Sequence, residues 1–125
     1  MRILLITNDW LPKKGGISTY LTNLVSSVDH EFTIYAPSWA EGDNVINSSS
    51  SFFLNSKDTI KEISDIIKNK NIDIILHGSS NPQFLLIGKL DQISNINSPK
   101  NIKIPQFMIC HGAEFNVLNY IPLLR

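Results

Sequence analysis

Two adjacent glycines, Gly15 and Gly16, lie in a polar loop between an apolar run and a segment with helical spacing. Without side chains, they would let a ligand come against the backbone at the start of the helix. Unpaired amides and the helix dipole favour an anion such as a diphosphate there. A tight turn would use the same glycines, so the pair alone leaves both roles open. Lys13 and Lys14 beside them could meet one phosphate, although two lysines are more typical of a solvated loop.

A second set of candidates is His111, Gly112 and Glu114, which follow the last predicted strand. An imidazole at a strand exit could donate to a sugar hydroxyl or to developing charge. Glu114, together with Asp9 behind the first strand, could accept hydrogen bonds from a hydroxyl-rich ligand. Each also has a structural alternative: a hydrogen-bonding histidine, a turn cap at Asp9 and a solvated helix start at Glu114.

His77 and Cys110 receive lesser roles. His77 precedes a glycine as His111 does, but serines follow it, and we expect it to form a wall of the ligand crevice. Cys110 and His111 are adjacent, so an extended strand points their side chains to opposite faces and excludes a nucleophile–base pair. We therefore expect Cys110 to be buried as a small apolar residue.

Two common kinds of site are not supported by the spacing of residues. The histidines His30, His77 and His111 lie on different predicted elements without short-range ligand spacing, so we predict no structural metal. The glycine loop matches neither the dinucleotide fingerprint nor a P-loop, so no dinucleotide cofactor is expected.

These residues must be positioned by elements that the apolar pattern predicts. Continuous or β-branched apolar runs predict strands over 2–8, 32–36, 72–77 and 106–110, and helical spacing predicts helices over 17–30, 59–69 and 84–96. Ser18 or Thr19 is expected near the N-cap of the first helix, and Asn81 near the N-cap of the third. Residues 51–54 are a candidate short strand, and residues 116–124 start a further segment. Alternating strands and helices predict an α/β fold with a doubly wound, mostly parallel sheet. In such sheets, ligands bind beyond the carboxyl ends of the strands, where the candidates above are located.

The composition indicates one globular domain. The chain has 125 residues, 42% of them hydrophobic, and its 11 basic and 11 acidic residues cancel, which gives no sign of nucleic acid as a partner. A single cysteine cannot form an internal disulfide, and no apolar stretch is long enough to cross a bilayer. Without the pattern of a secretion signal, the chain is expected to be cytoplasmic and reduced.

Four stretches in order, "LLITNDWLPKKGGISTYL", "TIYAPSW", "IDIILHGSSNP" and "ICHGAEF", resemble the N-terminal half of a family four glycosyltransferase of the GT-B fold. Among these enzymes the chain is most similar to the phosphatidylinositol α-mannosyltransferases. The resemblance covers nearly the whole chain and implies a Rossmann-like sheet.

The resemblance implies retaining transfer of a sugar from a nucleotide-sugar donor to a lipid-linked or saccharide acceptor, in cell-envelope glycan synthesis, without a metal or other cofactor. It places Gly15 and Gly16 against the donor diphosphate and acceptor, and Ser18 and Tyr20 among acceptor contacts. It places His111 as the catalytic histidine that hydrogen-bonds the transferred sugar. Asp9, Gly112 and Glu114 are further expected substrate-binding residues.

The chain departs from the family pattern in length. Residues 1–125 would form a single incomplete acceptor-side domain, since the C-terminal nucleotide-sugar domain with its paired glutamates is missing, and we expect no turnover without it. A non-catalytic acceptor-binding or docking module of a split enzyme is an alternative, as is an unrelated flavodoxin-like protein. The helix over 59–69 leaves open a peripheral contact with the cytoplasmic face of a membrane, although acidic residues balance its lysines.

Overall fold

The computed structural model describes residues 1–79, 84–97 and 103–111. In chain order, its elements are β1 (Arg2–Ile6), α1 (Gly16–Ser27), β2 (Glu31–Ala36), β3 (Val45–Asn47), α2 (Lys57–Lys70), β4 (Ile74–His77), α3 (Phe84–Asn97) and β5 (Gln106–Met108). The strands form one sheet in the order β3-β2-β1-β4-β5, and every neighbouring pair is parallel. The predicted α/β fold with a parallel, Rossmann-like sheet is confirmed.

The central strand β1 is buried on both faces because it alternates between two cores. Leu4 and Ile6 face a core that also holds side chains of α2 and α3, whereas Ile3 and Leu5 face a core that includes Leu21 of α1. The helices therefore cover opposite faces of the sheet. This double burial explains why β1 is a continuous apolar run instead of an alternating pattern.

The ends of the first two helices are defined by different means. The Ser56 hydroxyl accepts a hydrogen bond from the Thr59 amide and caps α2, which ends at Asn71 in the left-handed conformation. No side chain caps α1, which begins at Gly16 behind Gly15. The prediction of Ser18 or Thr19 as the cap is wrong, because both lie inside the helix; the predicted cap Asn81 lies outside the described residues.

The third strand does not lie where the sequence suggested. It is Val45–Asn47, which pairs with β2, and residues 51–54 are irregular. The latter segment is instead held by hydrogen bonds across the carboxyl end of the sheet, including one from the Trp39 indole to the Ser51 carbonyl. The predicted segment over 116–124 lies outside the described residues.

The Asn8 side chain ties this segment to the end of β1. Its amide nitrogen donates to the Phe53 carbonyl at 3.0 Å, and its oxygen accepts from the Phe53 amide at 3.0 Å. Phe53 is thereby held against the buried ring of Tyr35, with the ring centroids 4.8 Å apart. Asn8 thus satisfies both backbone groups of a buried residue far away in sequence.

The burial and length of the helices are relevant to the expected contact with a membrane. The apolar face of α2, with Ile63, Ile66 and Ile67, is buried in the core against the sheet. Within the described part of the chain, no helix combines the length and the apolar character that crossing a bilayer requires.

Asn8→Ala is expected to lower the free energy of unfolding by about 2–3 kcal/mol, because two buried backbone groups of Phe53 lose their partners. Urea denaturation would measure the change. Asn23→Ala is the matched control, since Asn23 lies exposed on α1, and its effect should stay within about 0.5 kcal/mol. Equal stabilities of the two variants would contradict the role given to Asn8.

Candidate functional site

The strand order creates a crevice between the carboxyl ends of β1 and β4. These strands are neighbours, but β1 leads into α1 on one face of the sheet and β4 is followed by α3 on the other. The two connections diverge at this point and leave a gap, which is where open α/β sheets bind ligands. The residues leaving β1, β4 and β5 at this edge therefore define the candidate site.

At the base of the crevice, Gly78 allows β1 and β4 to approach closely. A Cβ atom on Gly78 would lie 2.8 Å from Leu21 Cδ1 and 2.9 Å from Thr7 Cβ. The Gly78 amide also donates to the Ile6 carbonyl at 2.9 Å, which holds this peptide beside β1. Any larger residue would force the two strand exits apart.

His111 lies beside the exit of β4 and next to α1. Its Nε2 donates a hydrogen bond to the Gly78 carbonyl at 2.8 Å, since a carbonyl oxygen can only accept. Its ring packs edge-to-face with Tyr20, with 5.7 Å between the centroids and 89° between the planes. The structure thus brings together two of the predicted site residues from distant parts of the chain.

The glycine loop is open at the start of α1. A Cβ atom on Gly15 or Gly16 would meet nothing within 4 Å, so neither glycine is required by packing. In the first turn, Ser18 is 2% exposed, and its hydroxyl has no hydrogen-bond partner among the described residues. The first-turn amides, which have no intrahelical partners, are suited to an anion.

Asp9 lies in a short turn and is paired with a lysine. Its amide donates to Thr7 Oγ1 at 2.9 Å, and its carboxylate accepts from Lys13 at 3.0 Å. Lys13 thus neutralises the carboxylate at the rim of the crevice. The main chain of Asp9 lies in a turn, which is the structural alternative given for this residue. Its side chain is 24% exposed.

Two lesser predictions are wrong. His77 is fully buried instead of lining the crevice. The Gln106 amide nitrogen donates to the Ile87 carbonyl, so the Gln106 side-chain oxygen accepts from His77 Nε2 at 2.9 Å. Through Gln106, the buried His77 on β4 is thus linked to α3. Cys110 is exposed instead of buried, and it lies two residues beyond the end of β5 at Met108.

The expected substrate-binding residues Gly112 and Glu114 lie outside the described residues. The sequence placed Gly78 with His77 at the exit of a predicted strand but did not select it as a site residue. A glycine directly after a buried strand is a usable signal, because such glycines often permit close packing of a helix or strand. Among the described residues, no group of three or more histidine, cysteine, aspartate or glutamate side chains could hold a metal ion.

A surface cavity at the opposite end of the sheet has a structural explanation. Its lining includes Arg2, His30, Glu31 and Asp73. Arg2 Nε pairs with Glu31 at 3.0 Å, the Arg2 amide donates to Asp73 at 2.9 Å, and His30 lies 3.3 Å from the amino terminus. These contacts join the amino ends of neighbouring elements and account for the polar residues there.

Comparison with known proteins identifies the family. A GDP-mannose-dependent alpha-(1-6)-phosphatidylinositol monomannoside mannosyltransferase of Mycobacterium tuberculosis is 32% identical over 100 residues, covering 68% of this chain and 26% of the relative. The homologues of the chain are phosphatidylinositol mannosyltransferases of the family four glycosyltransferases. A protein of the same description from Mycolicibacterium smegmatis is 29% identical over 67% of this chain and 25% of its own length.

A third relative of the chain comes from Corynebacterium glutamicum. This GDP-mannose-dependent monoacylated alpha-(1-6)-phosphatidylinositol monomannoside mannosyltransferase is 26% identical over 73% of the chain and 27% of its own length. No family model matches the chain. The chain spans about a quarter of the length of the curated relatives it matches.

The buried His77 is expected to make stability depend on pH. Burial lowers the pKa of His77 below its ordinary value of 6.5, so the unfolded chain binds more protons as the pH falls through 6.5. The free energy of unfolding should therefore decrease from about pH 7.5 to pH 5.5. Urea denaturation at both values should give a smaller difference for His77→Gln than for the unaltered chain. His30→Gln changes an exposed histidine and is the control; an unchanged difference in His77→Gln would refute this account.

Proposed function

We propose that residues 1–125 are the acceptor-side part of a retaining glycosyltransferase of the GT-B type. The complete enzyme transfers a sugar from a nucleotide-sugar donor to a lipid-linked or saccharide acceptor. GDP-mannose and a phosphatidylinositol mannoside are the first donor and acceptor to test, because the relatives are named for them. These residues alone do not turn over, since the nucleotide-sugar domain supplies most of the donor contacts in this proposal.

The observation that carries the proposal is the convergence of His111 with the first helix at one crevice. His111 packs on Tyr20, one turn along the helix from the open Gly15–Gly16 start. A sugar diphosphate needs an anion site and a polar group that can interact with the transferred sugar. The helix start meets the first requirement and the imidazole the second.

In this mechanism the protein mainly binds and orients its substrates. The first-turn amides donate to the diphosphate and stabilise the negative charge that grows as it leaves. His111 hydrogen-bonds the transferred sugar and stabilises the charge that develops there. The acceptor hydroxyl attacks from the face that the nucleotide leaves, which retains the configuration at the anomeric carbon. No metal ion is needed in this proposal.

A membrane contact, where one exists, would not use the apolar face of α2. Ile63, Ile66 and Ile67 are buried in the core, and the exposed side of the helix carries both lysines and acidic residues. We propose that the enzyme works on the cytoplasmic face and meets a lipid acceptor at the crevice edge of the sheet.

The test is to express the complete reading frame that contains these residues and to assay it with a panel of nucleotide sugars and acceptors. His111→Ala is expected to lower kcat about 100-fold to 1,000-fold, because it removes a polar group at the reacting centre. Gly16→Ala is expected to lower kcat/KM for the donor without loss of stability, because its methyl group enters open space that the diphosphate would occupy.

Gly88→Ala is the matched control for Gly16→Ala. Gly88 lies on α3, and an added Cβ there also meets nothing within 4 Å. It should leave transfer unchanged. Failure of the complete protein to transfer any sugar, or full activity of His111→Ala, would refute the proposed function and favour a binding module.

A further inference from the structure

We propose that Gly78 and Tyr20 are positioning residues that fix the tautomer and the ring plane of His111. This inference rests on the proposed function for its catalytic meaning. Its structural content concerns only how the imidazole is held, and it can be tested without a substrate.

The Gly78 carbonyl is a rigid acceptor because the surrounding strand exits are tied together. The Gly78 amide donates to the Ile6 carbonyl at 2.9 Å, and the Ile109 amide donates to the His77 carbonyl at 2.9 Å. These bonds extend the parallel ladder beyond the ends of β1, β4 and β5. The bond from His111 Nε2 to Gly78 at 2.8 Å comes next in this series, with a side chain as the donor.

The position of that carbonyl depends on the absence of a side chain at residue 78. A Cβ atom would collide at 2.9 Å with Thr7 Cβ, which is attached directly to the backbone just after β1 and cannot rotate away. It would also meet Leu21 Cδ1 at 2.8 Å, and Leu21 is fully buried. A methyl group at residue 78 must therefore displace the β4 exit and, with it, the acceptor of the imidazole.

Tyr20 supplies the second constraint on the imidazole. The hydrogen bond to Gly78 does not by itself prevent rotation about the N–H···O axis, and the edge-to-face contact with Tyr20 at 89° restricts that rotation. Tyr20 remains 50% exposed, so the contact holds the ring without closing the crevice. The contact uses the aromatic ring and not the phenolic hydroxyl, which predicts that phenylalanine can replace tyrosine in this role.

The hydrogen bond to the Gly78 carbonyl determines which nitrogen carries hydrogen. With Nε2 donating to a carbonyl, the lone pair of the neutral imidazole belongs to Nδ1. A histidine that acts on a sugar must present the same atom at every turnover, and a second group that orients the ring is the usual means. Gly78 and Tyr20 provide this orientation from two different elements.

The experiment is nuclear magnetic resonance of the ¹⁵N-labelled chain of residues 1–125, with His111→Gln used to assign the imidazole signals. The unaltered chain should show an Nε2–H proton of His111 that is protected from exchange with water. Tyr20→Leu should speed that exchange roughly tenfold, because the hydrogen bond loses its aligned geometry. Tyr20→Phe should retain the protection, since it keeps the aromatic contact.

Gly78→Ala should also lose the protection, and Gly88→Ala is its matched control because a methyl group there meets open space. Should Gly78→Ala fail to fold, the comparison of Tyr20→Leu with Tyr20→Phe decides. Absence of a protected Nε2–H proton in the unaltered chain, or equal protection in Tyr20→Leu and Tyr20→Phe, overturns the proposal.

Failure of this proposal and failure of the proposed function are distinguishable. A protected Nε2–H proton in a protein that transfers no sugar would retain the positioning of His111 and refute the enzymatic role. In the active complete protein, Tyr20→Leu should lower kcat more than Tyr20→Phe does; equal effects of the two would overturn the positioning role while leaving the glycosyltransferase proposal intact.

Discussion

The close contact of β1 with β4 at their carboxyl ends is the constraint on which the candidate site depends. The Gly78 peptide lies against Thr7 and Leu21 with no room for a side chain, so the end of the central strand, the first helix and the fourth strand meet at one point. His111 then bonds to the carbonyl of this same peptide. Packing and site geometry are therefore set by one glycine, whose lack of a side chain serves both.

The burial of apolar faces explains why the polar residues collect at this edge. The apolar side chains of the sheet and of the inward faces of α1 and α2 are buried in the two cores, which leaves the polar residues at the strand ends.

On the α2 side, the buried Tyr35 hydroxyl donates to Glu62 at 2.7 Å and joins β2 to the helix. Burial raises the pKa of Tyr35. For Glu62, burial alone would raise the pKa, but the hydrogen bonds that it accepts from Tyr35 and Ser49 outweigh burial, so its pKa is lowered.

Periodicity predicted the long elements well, because each has a strong apolar pattern. The helix over 59–69 is Lys57–Lys70, and the buried run at the start is the central strand. The third strand was missed because Val45–Asn47 has only three residues, and its pairing with Ile34, Tyr35 and Ala36 is a tertiary contact. His77 and Cys110 were misplaced for a related reason: their burial depends on α3 and on the end of β5, which local sequence does not reveal.

The order of apolar and polar residues was enough to establish an α/β chain with a parallel sheet, a glycine-rich start to the first helix and a histidine behind the last strand. These features are local, and apolar periodicity records them directly. Which residues meet across the crevice was decided only when the chain folded. The contacts of His111 with Tyr20 and with the Gly78 carbonyl join elements far apart in sequence, and they arise from strand order and close packing. No spacing within a single segment carries that information, because the distances between segments are set by the side chains buried between them.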